Sequence, residues 1–300
     1  MTKLRMLVTG GSGYLGRWVV RLARAGWDVT ATYLTHPANQ ADEPGALWQW
    51  LDVRNEAAVR ALVQEVCPAV IVHTAASNPG EGAGFEVVNA TGTRHVARAA
   101  ATCSARLVHV STDVVFDGEK GHYVEEDLPA PVTPYGYSKA LAEEEVRGSG
   151  AEAIIVRTSL IYGWRPRLDR QTRWIVNALN TGQPVHLFTD EIRCPIWVES
   201  LAAAVLELAG LEYTGVLHVA GAQALSRYEF GGRLARFHGL DPAPLVPALS
   251  RESGLCRPLD CTLDCSRARA LLRTPLPGAD EVLERNLKSC RVADAHRPIA

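Results

Sequence analysis

Three hundred residues exceed one average domain and suit a large unit with a smaller one attached, and 47% apolar with 21% charged residues is ordinary globular composition with a sizeable core. A net charge of -2 gives no reason to expect nucleic acid or an anionic membrane as partner. No run of about 18 apolar residues occurs, so no transmembrane helix is expected.

The opening MTKLRMLVTGG has a basic flank, but its apolar stretch is brief and runs straight into glycines, unlike a secretory leader. A cytoplasmic location is therefore expected. Cys67, Cys103, Cys194, Cys256, Cys261, Cys265 and Cys290 are odd in number and form no CxxC pair. That argues against a disulfide framework or a zinc knuckle, and no metal is expected, although Cys256, Cys261 and Cys265 lie close in sequence.

Short apolar runs at Leu4–Thr9, Val29–Tyr33, Val70–His73, Leu107–Val110 and Ile154–Arg157 read as buried strands. Helical patterns lie between them at Tyr14–Ala25, Glu56–Val66, Phe85–Ala101 and Tyr135–Arg147. Cys67 precedes Pro68, which excludes it from the helical region and ends the second helix. This alternation predicts a parallel sheet with helices on both faces. GWRPRLDRQTRW then reads as a loop entering a helix, Pro195–Ala209 as a further helix and Val216–Ala220 as a further strand. From Ala222 onward, short helices alternate with proline-rich loops such as DPAPLVPALS.

After the first strand comes TGGSGYLG, with Gly10, Gly13 and Gly16 spaced GxxGxxG at the opening of a helix. Glycine lets the backbone turn sharply and approach a pyrophosphate, while the helix start offers free N–H groups and the positive dipole end. The expected fold is thus an α/β Rossmann doubly wound parallel sheet. A smaller, interleaved C-terminal substrate-binding domain completes it, with residues 1–163 and 193–221 in the cofactor unit and 164–192 and 222–300 in the other. Tyr14 and Leu15 belong to the same loop. NAD-preferring folds place Asp or Glu near the end of the second strand, where this chain has Tyr33. With no carboxylate there and Arg17 after the last glycine, NADP(H) is the preferred cofactor and NAD(H) stays open. Asp52, next to Val53, either holds the adenine amino group or caps a helix.

The strand Leu107–Val110 leads into STDVVFDG, which puts Ser111 and Thr112 at its carboxyl end, where ligands bind in open α/β sheets. In PYGYSKA, Tyr135 and Lys139 are four apart and share one helix face. Carbonyl reduction needs a proton donor at oxygen as hydride reaches carbon. A free tyrosine titrates near 10, and a neighbouring ammonium lowers that value toward the useful range. The same lysine can reach the nicotinamide ribose, and Thr112 can donate to the substrate oxygen.

GGSGYLG, HTAA, VNATGT, STDVVFDG, YGYSKALAEE and RTSLIYG follow one another as in the extended short-chain dehydrogenases/reductases. STDVVFDG followed by EEDLPAPVTPYGYSKALAEE most closely resembles the dTDP-4-dehydrorhamnose reductases, which reduce the 4-keto group of a nucleotide sugar. The resemblance covers about the first 220 residues well, and RPLDCTLDCSRARALL looks like the closing element of that family. It implies that Thr112, Tyr135 and Lys139 are the catalytic triad and that Ala75, Ala76 and Asn89 line the cofactor. Dehydrating relatives carry Asp-Glu after the threonine, whereas this chain reads Thr112-Asp113-Val114, which favours plain reduction. Asp113 is either a substrate contact or a buried carboxylate. Two alternatives remain: a sugar-nucleotide epimerase, and a non-catalytic NADP-binding subunit resembling the regulatory subunit of methionine adenosyltransferase.

A nucleotide-sugar substrate is the expected partner, with a homodimer left open. Arginine suits its diphosphate. Arg193, in EIRCPIWVESLA, resembles the arginine that epimerases of this superfamily place before a YVxDLA-like helix, and Arg257, in RPLD, resembles a second one. Arg165, Arg167, Arg170 and Arg173 read as a solvated loop, and Trp164 either stacks on a base or plugs the domain junction.

Overall fold

The computed structural model describes residues 3–35, 45–79 and 84–294; residues 295–300, the end of the expected second unit, lie outside the described residues. The first half runs β1 (Leu4–Thr9), α1 (Tyr14–Ala23), β2 (Trp27–Tyr33), β3 (Ala46–Trp50), α2 (Glu56–Val66), β4 (Val70–His73), α3 (Gly92–Thr102), β5 (Arg106–Thr112), α4 (Pro134–Arg147) and β6 (Ala153–Thr158). Then follow β7 (Ile161–Tyr162), α5 (Arg170–Asn180), β8 (Val185–Phe188), β9 (Ile192–Arg193), β10 (Ile196–Trp197), α6 (Val198–Ala209) and β11 (Gly215–His218). The chain closes with β12 (Leu225–Ser226), α7 (Arg227–Phe237), β13 (Leu245–Ala248), α8 (Ser266–Leu271) and α9 (Ala279–Asp294).

Seven strands form one sheet in the order β11-β6-β5-β4-β1-β2-β3, every neighbour parallel. The period of two along β1 explains the layering. Met6 and Val8 join α1 and α6 side chains in one apolar cluster, and Leu7 joins those of α2 and α3 in another on the opposite face. The architecture is the doubly wound fold expected. Chain order reverses between β1 and β4, so the crevice at their carboxyl ends is the switch point where such sheets bind ligands.

A third apolar cluster stands apart from the sheet, built from α5, β8, α7, β13 and α9 around Ile175, Leu187, Phe230 and Leu234. Three local expectations change. β3, at the sheet edge, is a strand that the reading of short apolar runs did not include. The helix expected from Phe85 begins as a π turn over Glu86–Thr91 before α3 proper. Pro195 and Trp197 belong to a short extended stretch, and α6 starts at Val198. Cys67 does leave the helical region, but into the left-handed one (φ 43°), where its N–H closes on the Val63 carbonyl.

Candidate active site

The loop after β1 builds the first part of the site. Gly10 sits at φ +71°, and its N–H donates to Thr32 Oγ1 at 3.1 Å, tying the loop to the end of β2. A Cβ on Gly16 would stand 2.2 Å from the Gly10 carbonyl oxygen, so only glycine lets α1 start this close to the strand. Gly13 caps α1 without a side-chain hydrogen bond, which leaves the first-turn amides turned to the cleft. That cleft encloses about 630 Å³ and runs from Gly10, Gly13 and Tyr14 past Tyr33, Asp52 and Val53 to Ala75, Ala76 and Lys139. Leu15 and Gly16 also border it. Open amides at a helix start, beside a glycine loop at the switch point, fit a dinucleotide pyrophosphate.

α4 places Tyr135 and Lys139. Thr133 caps it, its Oγ1 accepting from Gly136 N–H at 3.0 Å, and Pro134 fixes the first turn. Tyr135 therefore stands in the first turn and Lys139 one turn on. Lys139 is buried, and its Nζ donates to the Val110 carbonyl at 2.8 Å and lies 3.3 Å from His109 Nε2. Burial lowers its pKa to about 8, with Glu143 opposing. Behind it His109 and His73 lie with ring centroids 5.4 Å apart and planes tilted by 31°, and His73 lies between the hydroxyls of Thr9 (2.6 Å) and Thr93 (3.0 Å). Burial first, then the Lys139 charge, drives His73 down to about 3 and His109 well below the usual imidazole value.

A second cleft of about 410 Å³ opens on the other side of Tyr135, toward Asp113, Glu191, Arg193, Arg227 and Arg257. The two clefts share Thr112, Tyr135 and Ser159. A group bound in one thus meets a group bound in the other at a hydroxyl, a phenol and a second hydroxyl. Asp113 is buried at the wall of this cleft and accepts from Ser159 Oγ at 2.5 Å. Burial raises its pKa, with Arg193, 3.7 Å away, opposing. Arg193 is a brace: Nη1 donates to the Ile192 and Leu259 carbonyls (2.7 and 2.8 Å) and Nη2 to the Pro258 carbonyl (2.8 Å). Arg257 is held through Nε and Nη2 by Glu191.

Other expected residues stand elsewhere. Arg17 does not line the first cleft; its Nε donates to the Ser12 carbonyl at 3.0 Å. Asn89 lies behind the wall, its amide bonded to both backbone groups of Ser77 (2.8 and 3.1 Å) and to Ser138 Oγ (2.9 Å), so it holds the loop after β4 against α4. Trp164 borders neither cleft and packs on Trp197 and Phe237 as a plug. Asp52 lines the cleft but caps nothing, since Asn55 caps α2. Its carboxylate is gripped by Arg54 (2.6–3.0 Å), whose hydrogen bonds hold it below the usual range. Cys256 borders the second cleft, and Cys261 and Cys265 are buried.

Residues 4–292 match the family model described as the RmlD substrate binding domain. The chain belongs to that family. Among its relatives, the dTDP-4-dehydrorhamnose reductase of Mycobacterium tuberculosis is 34% identical over 263 residues, covering 83% of this chain and 80% of that one. Methionine adenosyltransferase 2 subunit beta of Xenopus laevis is 27% identical over 288 residues, covering 90% and 84%. The dTDP-4-dehydrorhamnose reductase of Bacillus anthracis, solved in complex with NADP, superposes with a TM-score of 0.82 at 27% identity, over 96% of this chain and 100% of that one. The family is thus one of dTDP-4-dehydrorhamnose reductase-like proteins on the extended short-chain dehydrogenase/reductase fold.

Within this RmlD-family chain, sequence reasoning missed Arg54, His109, Ser159, Glu191 and Arg227. Ser159 and Glu191 were within reach of it, because Ser159 follows a strand end and Glu191 stands two residues before Arg193. Arg227 had only a weak signal, the Ser226–Glu229 capping box that starts α7 beside it.

Proposed function

We propose that the chain reduces a keto group of a nucleotide sugar with NADPH, in the manner of a dTDP-4-dehydrorhamnose reductase. The observation that carries this is the meeting of the two clefts at Thr112 and Tyr135, with Lys139 in the cofactor cleft. The first cleft takes the dinucleotide on Gly10, Gly13 and the α1 amides, with Ala75 and Ala76 alongside. The reduced nicotinamide, when bound there, supplies the hydride.

The chain's own groups manage the proton and the charge. Tyr135 gives its phenolic proton to the carbonyl oxygen, so the ketone gains one hydride and one proton and becomes a secondary alcohol. The Lys139 ammonium stabilises the resulting phenolate. Thr112 Oγ1, now 3.2 Å from Asp113 Oδ1, turns to donate to the same substrate oxygen. Val114 stands where a dehydratase needs a carboxylate base, which supports reduction without loss of water. NADP(H) is favoured because no carboxylate stands at Tyr33, and Arg54, which Asp52 engages through Nε and Nη2, is a cation at the same cleft wall that a 2′-phosphate would compete for. The third apolar cluster, from Ile175 to Leu187, Leu225 to Leu245 and Ala279 to Leu283, supports a separate unit within residues 164–192 and 222–300, although Leu263, Ala268 and Leu272 of that span pack with α1 and α6 on the sheet.

The test is NADPH oxidation with a keto-sugar nucleotide, run beside cofactor titration on wild type and Tyr135→Phe. Turnover is expected to fall by roughly 10²–10⁴ in the variant with NADPH affinity kept. A wild type that oxidises no NADPH with any such sugar, and a Tyr135→Phe that changes nothing, would instead fit a binding subunit.

A further inference from the structure

The second cleft gathers three arginines and two carboxylates, and their hydrogen bonds divide them sharply. Arg193 spends its fork on three backbone carbonyls and faces Asp113 with Nε. Arg257 is engaged twice by Glu191, which also accepts from Ser250 Oγ at 3.0 Å. Arg227 differs from both. Its backbone N–H donates to the Glu191 carbonyl at 3.0 Å, but among the described residues its guanidinium makes no hydrogen bond, although it lines the cleft.

That arrangement is costly without a ligand. Burial lowers the Arg227 pKa to about 10; Glu191 opposes the shift, and Arg193 and Arg257 add to it. The side chain is half-buried, so its open donors face the cleft beside two like charges, with little from the protein to offset the hydration it has lost. Three guanidinium charges against the charges of Asp113 and Glu191 leave the cleft a net cation, and a planar fork with open donors matches two oxygens of one phosphoryl group.

We infer that Arg227 is the principal donor to the substrate's diphosphate, with Arg193 serving to brace the cleft wall. This rests on the nucleotide-sugar reading above and deepens it. Glu191 then acts as a positioning residue, holding Arg257 and offsetting part of the like-charge repulsion on Arg227.

The experiment is calorimetric titration of the NADPH-loaded protein with dTDP and with UDP, for wild type, Arg227→Gln and Arg227→Lys. Losing a charge-assisted pair of hydrogen bonds is expected to weaken the tighter nucleotide at least about tenfold in Arg227→Gln. Arg227→Lys, which keeps the charge without the fork, falls between. NADPH affinity, read in parallel, stays at the wild-type value and reports that the fold is intact. In steady state the KM for the keto-sugar rises while kcat changes little. Wild-type nucleotide affinity in Arg227→Gln overturns the inference and leaves the reductase reading standing. A fall in kcat at unchanged KM also overturns it, placing Arg227 at the sugar. A wild type that binds neither nucleotide overturns both.

Discussion

Lys139 Nζ lies 3.3 Å from His109 Nε2, and because an ammonium only donates, the imidazole accepts and stays neutral. The lysine itself titrates at about 8, lowered by its burial. Its charged form, the one that in the proposed mechanism favours the Tyr135 phenolate, is therefore present below about pH 8 and lost above it. We expect kcat/KM, which reports groups of the free enzyme, to fall with unit slope above about pH 8. A profile flat to about pH 10 would remove Lys139 from that role.

The two buried imidazoles carry a second, opposite-facing consequence. His73 titrates at about 3 in the fold against about 6.5 in an unfolded chain, so between those values the unfolded state binds a proton that the native state refuses. Stability thus rises with pH through that window and is lost on acidification. By about pH 5 the loss from His73 alone is about 2 kcal/mol. His109 acts in the same direction, and the raised Asp113 acts against it. Urea midpoints at about pH 7.5 and about pH 5 should differ accordingly in wild type and less in His73→Gln. Equal midpoints in wild type would refute the neutral assignment.

What the sequence made legible follows from range. β1, α1, α2 and α4 declare themselves through periodicity within one element, and Tyr135 with Lys139 through spacing on one helix. β3 was hidden because it is an edge strand whose Leu47 and Trp50 face solvent, so its apolar pattern does not alternate as a half-buried strand should. The π turn before α3 left no period to read, yet it sets the Asn89 amide against Ser77. Ser159, Glu191 and Arg227 come from three separate segments, and no spacing announces their meeting. Arg17 and Trp164 sat at plausible positions, and only the direction of each side chain moved them out of the clefts.

Two residues of the cleft wall test the proposed preference for NADP(H). Tyr33 occupies the end of β2, and Arg54 is the guanidinium that lines this cleft. We expect Tyr33→Asp to shift preference toward NADH, because a carboxylate there repels a 2′-phosphate and accepts from a 2′-hydroxyl. Arg54→Ala should weaken NADPH more than NADH, and it also frees Asp52 from its partner. Fluorescence titration of both cofactors checks each variant. Strong native discrimination for NADH would contradict the assignment.

Gly16 offers a test of the loop without touching charge. A methyl there meets the Gly10 carbonyl oxygen at 2.2 Å and Gly11 Cα at 2.9 Å, both backbone atoms that cannot swing aside. Gly16→Ala should cost about 1–3 kcal/mol and weaken NADPH binding as the loop shifts. Gly13→Ala, whose added methyl meets one backbone oxygen at 3.0 Å, should cost less stability. Equal thermal midpoints for both variants and wild type would show that the loop yields more easily than its geometry implies.

The last prediction concerns the support beneath Ser111 and Thr112. Glu143, on α4, is fully buried and receives Arg157 Nε and Nη2 (3.0 and 2.8 Å), Ser111 Oγ (2.6 Å) and Arg147 Nη2 (2.8 Å). Burial alone would raise its carboxyl, but the Arg157 hydrogen bonds and charge outweigh that and hold it below the usual range. Arg157 is equally buried, and its guanidinium also lies over the Phe116 ring at 4.9 Å. Removing one member leaves the other's charge stranded in the core, which costs about 3–5 kcal/mol. Arg157→Met should therefore unfold at markedly lower urea, whereas Arg147→Ala, removing the half-exposed partner, should cost at most about 1 kcal/mol. Because the Glu143 carboxyl is depressed, its contribution exists above the unfolded carboxylate pKa and disappears as pH falls through the native one. The penalty of Arg157→Met should then shrink at about pH 4, where the stranded carboxylate can take a proton. A penalty that is small at neutral pH, or that does not shrink in acid, would mean the pair is not the strut that ties α4 to β6, the strand beside the one carrying Thr112.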